Sequence, residues 1–310
     1  MEEPQKDVVV ITTGRFASRA RAWRTLALAV GSSILAGCST WAAPIRKTPP
    51  PPPITIELPG PNPATLTLRR IGHASVLIES GDERVLTDPW FTEKSGYHHG
   101  EELALGVADL PQLTAVVSSH GHYDHYDMEG FSKYRDKSVP LVVRKGTAGD
   151  ARDAGFTRVS ELEPWQVTRV GGVTITAAPG KHGVDENTYI IELNGFTIFF
   201  GGDSMLIPEH REIPKRFPRI DAALLAVNGL TVMGSQKVMT PKQAAELCHI
   251  LNPAVAIPIH YRFNGGWFMD TFFLGYHGSP ADFQRAAATA CPATPVTVLE
   301  TGQQLVLTRR

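Results

Sequence analysis

The sequence is short of cysteine, of net charge and of long apolar runs. Three cysteines in 310 residues exclude a disulfide-dense secreted scaffold. A formal net charge of −1 excludes the basic surplus of a general nucleic-acid binder, so no nucleic-acid partner is expected. No uninterrupted apolar stretch reaches the roughly 20 residues that a membrane-crossing helix needs, which excludes a multi-span membrane protein. With 42 % hydrophobic and 20 % charged residues, global disorder is excluded too. What is present in quantity is histidine, eleven residues. Histidine is the commonest metal ligand and the usual acid or base near neutral pH, so its placement carries the reading.

The N-terminus reads as an export signal. Arg15, Arg19, Arg21 and Arg24 form a basic region ahead of the apolar run from Thr25 to Leu35. The run ends in Leu35-Ala36-Gly37-Cys38, which resembles the bacterial lipobox. That resemblance implies cleavage before Cys38, lipidation of its thiol, and a membrane anchor. Ser39 after the cysteine favours the outer membrane, facing the periplasm. Pro49 to Pro53, then Pro59, Pro61 and Pro63, favour an extended spacer. The expected organisation is a signal over 1–37, a Pro-rich tether over 38–63 and one folded domain over 64–310. Cys248 and Cys291 each fall late in a predicted helix. Export permits their oxidation, but two separate buried thiols are the expectation.

Within the domain, short β-rich runs alternate with turns, from Leu66–Arg69 through Ser75–Glu79, Arg84–Thr87 and Thr114–Ser118 to Thr297–Glu300 and Gln304–Leu307. Asn194-Gly195 marks a hairpin. Thr240-Pro241 and Ser279-Pro280 each place a cap before a first-turn proline, opening helices to about Leu251 and Ala290. Arg144 to Ala154 is a third helix candidate. Many strands with few helices predict a layered α/β (α+β) sandwich.

The decisive segment is Val116-Val117-Ser118-Ser119-His120-Gly121-His122-Tyr123-Asp124-His125. An apolar strand runs directly into it. His120 and His122 project to one side of an extended chain, and Asp124 and His125 follow where the chain turns. One strand end thereby presents ligands to two adjacent metal ions.

This motif resembles that of the metallo-β-lactamase superfamily. Further positions match that family's motifs in order: Asp88 in Leu86-Thr87-Asp88-Pro89, His182 after Gly180-Lys181, Asp203 in Gly201-Gly202-Asp203-Ser204, and His260 after Pro258-Ile259. The resemblance implies a four-layer αββα sandwich. It implies one metal site of His120, His122 and His182, a second of Asp124, His125 and His260, and Asp203 as the bridge. Two divalent ions are implied, Zn2+ first and Mn2+ or Fe2+ as alternatives that the mixed N/O set admits. Asp124 would orient the attacking hydroxide or move its proton, and Asp88 would fix a histidine tautomer.

Ile71-Gly72-His73-Ala74-Ser75, Asp88-Pro89-Trp90-Phe91 and Met239-Thr240-Pro241 resemble the branch holding L-ascorbate-6-phosphate lactonase and N-acyl-phosphatidylethanolamine phospholipase D. The implied activity is a metal-dependent hydrolase acting on a phosphodiester, lactone or related ester, with a small-molecule or lipid-like substrate. A non-catalytic metal-binding envelope lipoprotein and a β-lactamase are the competing readings. His73 has two readings, a residue beside the metals and a hydrogen-bonded structural histidine. Asn228, Arg262 and His277 are the candidates for substrate contact, Arg262 through an anionic group or else as a surface ion pair. His98-His99 sits in a loop read as solvated rather than as a lid, and His210 and His249 have no motif partner.

Overall fold

The computed structural model describes residues 39–60 and 63–309. The signal expected over 1–37 and the lipidation expected at Cys38 lie outside the described residues. Among the described residues, no helix is long and apolar enough to cross a membrane.

Two sheets carry the domain, one of eight strands and one of six. In the larger, the hairpin Ser75–Ser80 and Glu83–Thr87 turns at Gly81, whose φ of 57° suits a residue without Cβ. Side chains alternate across it. Val76, Ile78 and Val85 face inward, while Leu77 and Leu86 face outward. The inward set meets Ile175, Tyr189, Ile198 and Leu224 of the six-stranded sheet in one buried cluster. The outward faces are covered on both sides. Phe131, Tyr134 and Ala151 lie over the first sheet, and the helices Pro241–Leu251 and Pro280–Ala290 over the second. The order helix, sheet, sheet, helix is the four-layer sandwich that was expected.

One half of each sheet is parallel. Glu83–Thr87 pairs parallel with Ala115–Val117, and Phe196–Phe200 with Ala222–Ala226, which pairs in turn with Ala256–Ile259. Strands buried on both faces need continuous apolar sequence, and Ala-Val-Val and Ala-Ala-Leu-Leu-Ala supply it. Ligands in such sheets bind beyond the carboxyl ends of the strands. Asp88, His120, Asp203 and His260 all lie there, immediately after or a few residues past Thr87, Val117, Phe200 and Ile259.

Local signals behave as their chemistry requires. The Thr240 hydroxyl accepts from Gln243 N–H, and Gln243 Oε1 accepts from Thr240 N–H at 2.9 Å, a reciprocal cap with Pro241 inside it. Asn194 and Gly195, with φ of 45° and 79°, turn the chain between Asp185–Leu193 and Phe196–Phe200. Three expectations change. The Arg144–Ala154 helix shrinks to Ala148–Asp153, because Leu141–Arg144 stays in the sheet and Gly146 takes a φ of 93°. Thr297–Glu300 forms no strand, and only Val296 bridges to Ala256. Cys248 and Cys291 are joined as a disulfide, since the two capping helices pack together and bring their Cα atoms to 6.2 Å.

The stretch read as a tether also joins the sandwich. Trp41–Ala42 pairs with Thr92–Glu93, and Ile54–Leu58 adds a parallel edge strand to Gln304–Arg309. Alternating Ile54, Ile56 and Leu58 give that segment an apolar side to pack on the core, which the prolines before it do not remove.

Candidate metal centre

The carboxyl ends of the parallel strands converge on a cleft of about 690 Å³. His122, Asp124, His182 and Asp203 line its floor. Apolar walls rise around them, including Leu230, Phe263 and Leu274.

The histidines and aspartates fall into groups with converging donor atoms. His120, His122 and His182 form one, and His73, Asp124, His125 and His260 another. His120 Nε2 lies 2.8 Å from His122 Nδ1. Asp203 stands between the groups. Its Oδ2 is 2.9 Å from His260 Nε2, 3.2 Å from His125 Nε2 and 3.4 Å from His182 Nε2. Asp124 Oδ2 is 3.4 Å from His73 Nε2, 3.6 Å from His125 Nε2 and 3.8 Å from His260 Nε2.

Groups behind these atoms fix their orientation. His182 Nδ1 donates to the Lys237 carbonyl at 2.8 Å, turning Nε2 to the cleft. His125 Nδ1 lies 2.5 Å from Asp88 Oδ2. Asp88 also accepts from Ser119 N–H and from the Ser119 hydroxyl, each at 2.7 Å. Glu186, which sequence reasoning missed, accepts from Asp203 N–H at 2.7 Å and lies 3.4 Å from His120 Nδ1. It sits inside a strand with no motif around it, so only the register of that strand reveals it.

The electrostatics follow from burial and neighbours. Burial pushes His120 down to about 3 and lowers His122 and His182, leaving neutral imidazoles on that side. Burial also works against charge on His260, but Asp203 and Asp124 outweigh it and lift His260 to about 9. Burial raises both carboxyls. For Asp203, His125, His260 and His182 outweigh it, and for Asp124 His125, His260 and His73 do, so each stays well below the usual carboxylate range. Asp203 Oδ1 is buried with no hydrogen-bond partner. An unpartnered carboxylate oxygen amid converging imidazoles suits a divalent cation, so the donor set fits metal.

A family described as the β-lactamase superfamily domain matches residues 83–261. The chain belongs to the metallo-β-lactamase superfamily. Proteins named UPF0173 metal-dependent hydrolase are similar to it. That of Pelotomaculum thermopropionicum is 28 % identical over 258 residues, covering 76 % of this chain and 98 % of its own. That of Deinococcus radiodurans is 27 % identical over 205 residues, covering 63 % and 84 %. Among solved structures, a metallo hydrolase of Ignicoccus hospitalis aligns with a TM-score of 0.61 at 21 % identity, over 78 % of this chain and 98 % of that one. An isothiocyanate hydrolase from Delia radicum gut bacteria aligns at 0.62 and 18 %, over 77 % and 98 %. These structural likenesses concern the fold. The family match and the relatives named as metal-dependent hydrolases make this chain a metal-dependent hydrolase of the superfamily.

Not every expected site residue of the hydrolase reaches the cleft. His73 does come to the histidine cluster, its ring 4.1 Å from that of His260. Asn228, Arg262 and His277 do not line the cleft. Asn228 is buried, with Oδ1 accepting from Leu230 N–H at 3.1 Å. Arg262 points to a separate surface cavity beside Tyr261, and His277 Nε2 pairs with the Thr231 hydroxyl at 3.2 Å. After His260 the chain stays beside the cleft, but it is Phe263 that faces in while Arg262 faces out. His98 does border the cleft, and His99 is buried, stacked 3.6 Å from Trp90. His210 is buried in the outer layer.

Proposed function

We propose that the hydrolase is dinuclear, with His120, His122 and His182 holding one divalent ion, Asp124, His125 and His260 the other, and Asp203 shared. The observation that carries this is the placement of Asp203 Oδ2 within 3.4 Å of ring nitrogens from both groups. Two divalent ions there, Zn2+ foremost and Mn2+ or Fe2+ compatible, supply Lewis acidity and a nucleophilic hydroxide near neutral pH. Asp124 borders the cleft in its charged form and is the group to orient the nucleophile and move its proton. Asp88 and the Lys237 carbonyl hold His125 and His182 in single tautomers. The apolar walls above the metals exclude water and suit a substrate with an apolar portion.

The substrate class is a phosphodiester, lactone or related ester, in phospholipase-D-like or lactonase-like chemistry. The chain acts in the bacterial envelope, anchored through lipid on Cys38, at the outer membrane facing the periplasm. A Cys248–Cys291 disulfide is consistent with an oxidising compartment. The test is an activity profile of the metal-quantified full chain on bis(p-nitrophenyl) phosphate, phospholipids, lactones, penicillins and carbapenems. Turnover of a phosphodiester or lactone that disappears in Asp203→Ala supports the reading. Rapid turnover confined to β-lactams overturns the substrate class.

A further inference from the structure

The segment after His260 carries an unusual surface. The helix Gly266–Phe272 buries none of its residues, although its sequence is Gly-Trp-Phe-Met-Asp-Thr-Phe. Trp267 is 77 % exposed, Phe268 56 % and Phe272 61 %. Their rings gather, with Phe272 5.4 Å from Phe268 and 6.1 Å from Trp267. Met233, 78 % exposed, joins them at the tip of the adjoining hairpin, its N–H donating to the Phe273 carbonyl at 2.7 Å. Trp267 and Phe268 also line the mouth of the metal cleft, so the patch continues into its apolar wall. A soluble surface seldom leaves so many large apolar side chains together without a partner.

Two further observations say what covers the patch. The acid of this helix is withdrawn from it, since Asp270 Oδ1 accepts from Gly265 N–H at 2.8 Å and from the Tyr276 hydroxyl at 2.7 Å. The chain also enters the domain at this same rim. Trp41 packs on His98 with ring centroids 5.8 Å apart. His98 and Asn264 exchange backbone hydrogen bonds at 3.0 Å each, two residues before the helix begins. Cys38 precedes Trp41 by three residues, a covalent reach of about 11 Å at most. A lipid on Cys38 therefore brings a bilayer to the cleft mouth.

We propose that Trp267, Phe268, Phe272 and Met233 form a membrane-docking face that seats the mouth of the metal cleft on the lipid surface. Aromatic side chains suit the headgroup level, and one anchor gains from a second, non-covalent contact. The substrate then enters from the membrane side. This inference rests on the envelope-anchor reading above.

The test uses the full chain, purified with whatever lipid Cys38 carries, and phosphatidylcholine–phosphatidylglycerol vesicles with or without bromine on the acyl chains. Trp267 emission is read as the difference between wild type and Trp267→Phe. Mass spectrometry reads the acylation of Cys38. The expected result is acylated Cys38 with Trp267 emission blue-shifted and quenched by bromine. A paired variant, Phe268→Ser with Phe272→Ser, should weaken that quenching while retaining acylation and the circular dichroism spectrum. Acylated Cys38 with unquenched Trp267 overturns the docking face and leaves the anchor standing. Quenched Trp267 on an unacylated chain supports the docking face and removes the anchor. Trp267 shielded from bromine in a sedimenting dimer assigns the patch to a second copy and overturns the proposal.

Discussion

Asp88 Oδ2 sits 2.5 Å from Nδ1 of His125, which fixes the ring so that Nε2 faces Asp203. Asp88 can reach because it follows its strand directly and takes a φ of 33°, with its carbonyl accepting from the Ser75 hydroxyl. Both Asp88 and His125 are fully buried. Asp88→Ala should leave His125 free to rotate and reduce metal affinity by roughly 10–100-fold. Chelator competition measures this, and unchanged affinity would remove Asp88 from the centre's support.

Gly202 should tolerate no side chain. Its φ is 51°, and a Cβ would lie 2.5 Å from Glu186 Oε1 and 2.7 Å from the Ser119 Cβ. Gly202→Ala must displace Glu186 and with it the backbone of Asp203. The expected cost is about 1–3 kcal/mol in denaturant unfolding, with reduced metal content. A variant of wild-type stability and metal content would contradict this.

The buried Arg70 and the partly buried Glu101 form a two-pronged ion pair, with Arg70 Nη1 donating to Glu101 Oε2 at 2.9 Å and Nη2 to Oε1 at 2.5 Å. Glu101 also accepts from His73 N–H at 3.1 Å, holding the turn that carries His73. Burial raises the Glu101 carboxyl, and Arg70 outweighs it, so the folded pKa lies below the ordinary value. The pair's contribution is therefore complete above the unfolded pKa and lost as pH falls through the folded one. Glu101→Gln should unfold more readily at pH 7, by about 1–3 kcal/mol, since Gln keeps one acceptor but leaves the buried guanidinium without its counter-charge. The gap to wild type should close on acidification below about pH 4. A gap independent of pH would show that the carboxylate charge is not the cause.

The Cys248–Cys291 disulfide closes a segment spanning 43 residues and ties together the two helices over the six-stranded sheet. Reduction should destabilise the domain by about 2–4 kcal/mol. Calorimetry with and without reductant checks this. An unchanged Tm, with thiols proven free, would contradict it.

The convergence of the histidines and aspartates was legible in the sequence because they follow apolar strands. Parallel strands of one sheet end at the same edge, and the two sheets pack face to face, so His120 from one and Asp203 and His260 from the other meet. The four-layer fold was legible for the same reason, from strand runs and capped helices such as Thr240-Pro241. Loop residues were not legible. Arg262 and His277 follow His260 in sequence, but their side chains face other surfaces. The Cys248–Cys291 pairing depends on how two helices pack, which spacing alone does not encode. Glu186 sits mid-strand, where an acid usually points to solvent, and only the register puts it behind His120. Ile54–Leu58 was masked by the prolines flanking it, although its alternating apolar residues signal an edge strand.

The most direct measurement is metal content and turnover together, on wild type, Asp203→Ala and the chelator-stripped chain. The expected result is two divalent ions per wild-type chain, with both ion content and turnover lost in Asp203→Ala while the circular dichroism spectrum is kept. Stripping should abolish turnover, and re-adding a divalent ion should restore it. Full turnover in a chain shown to be metal-free would contradict the assignment.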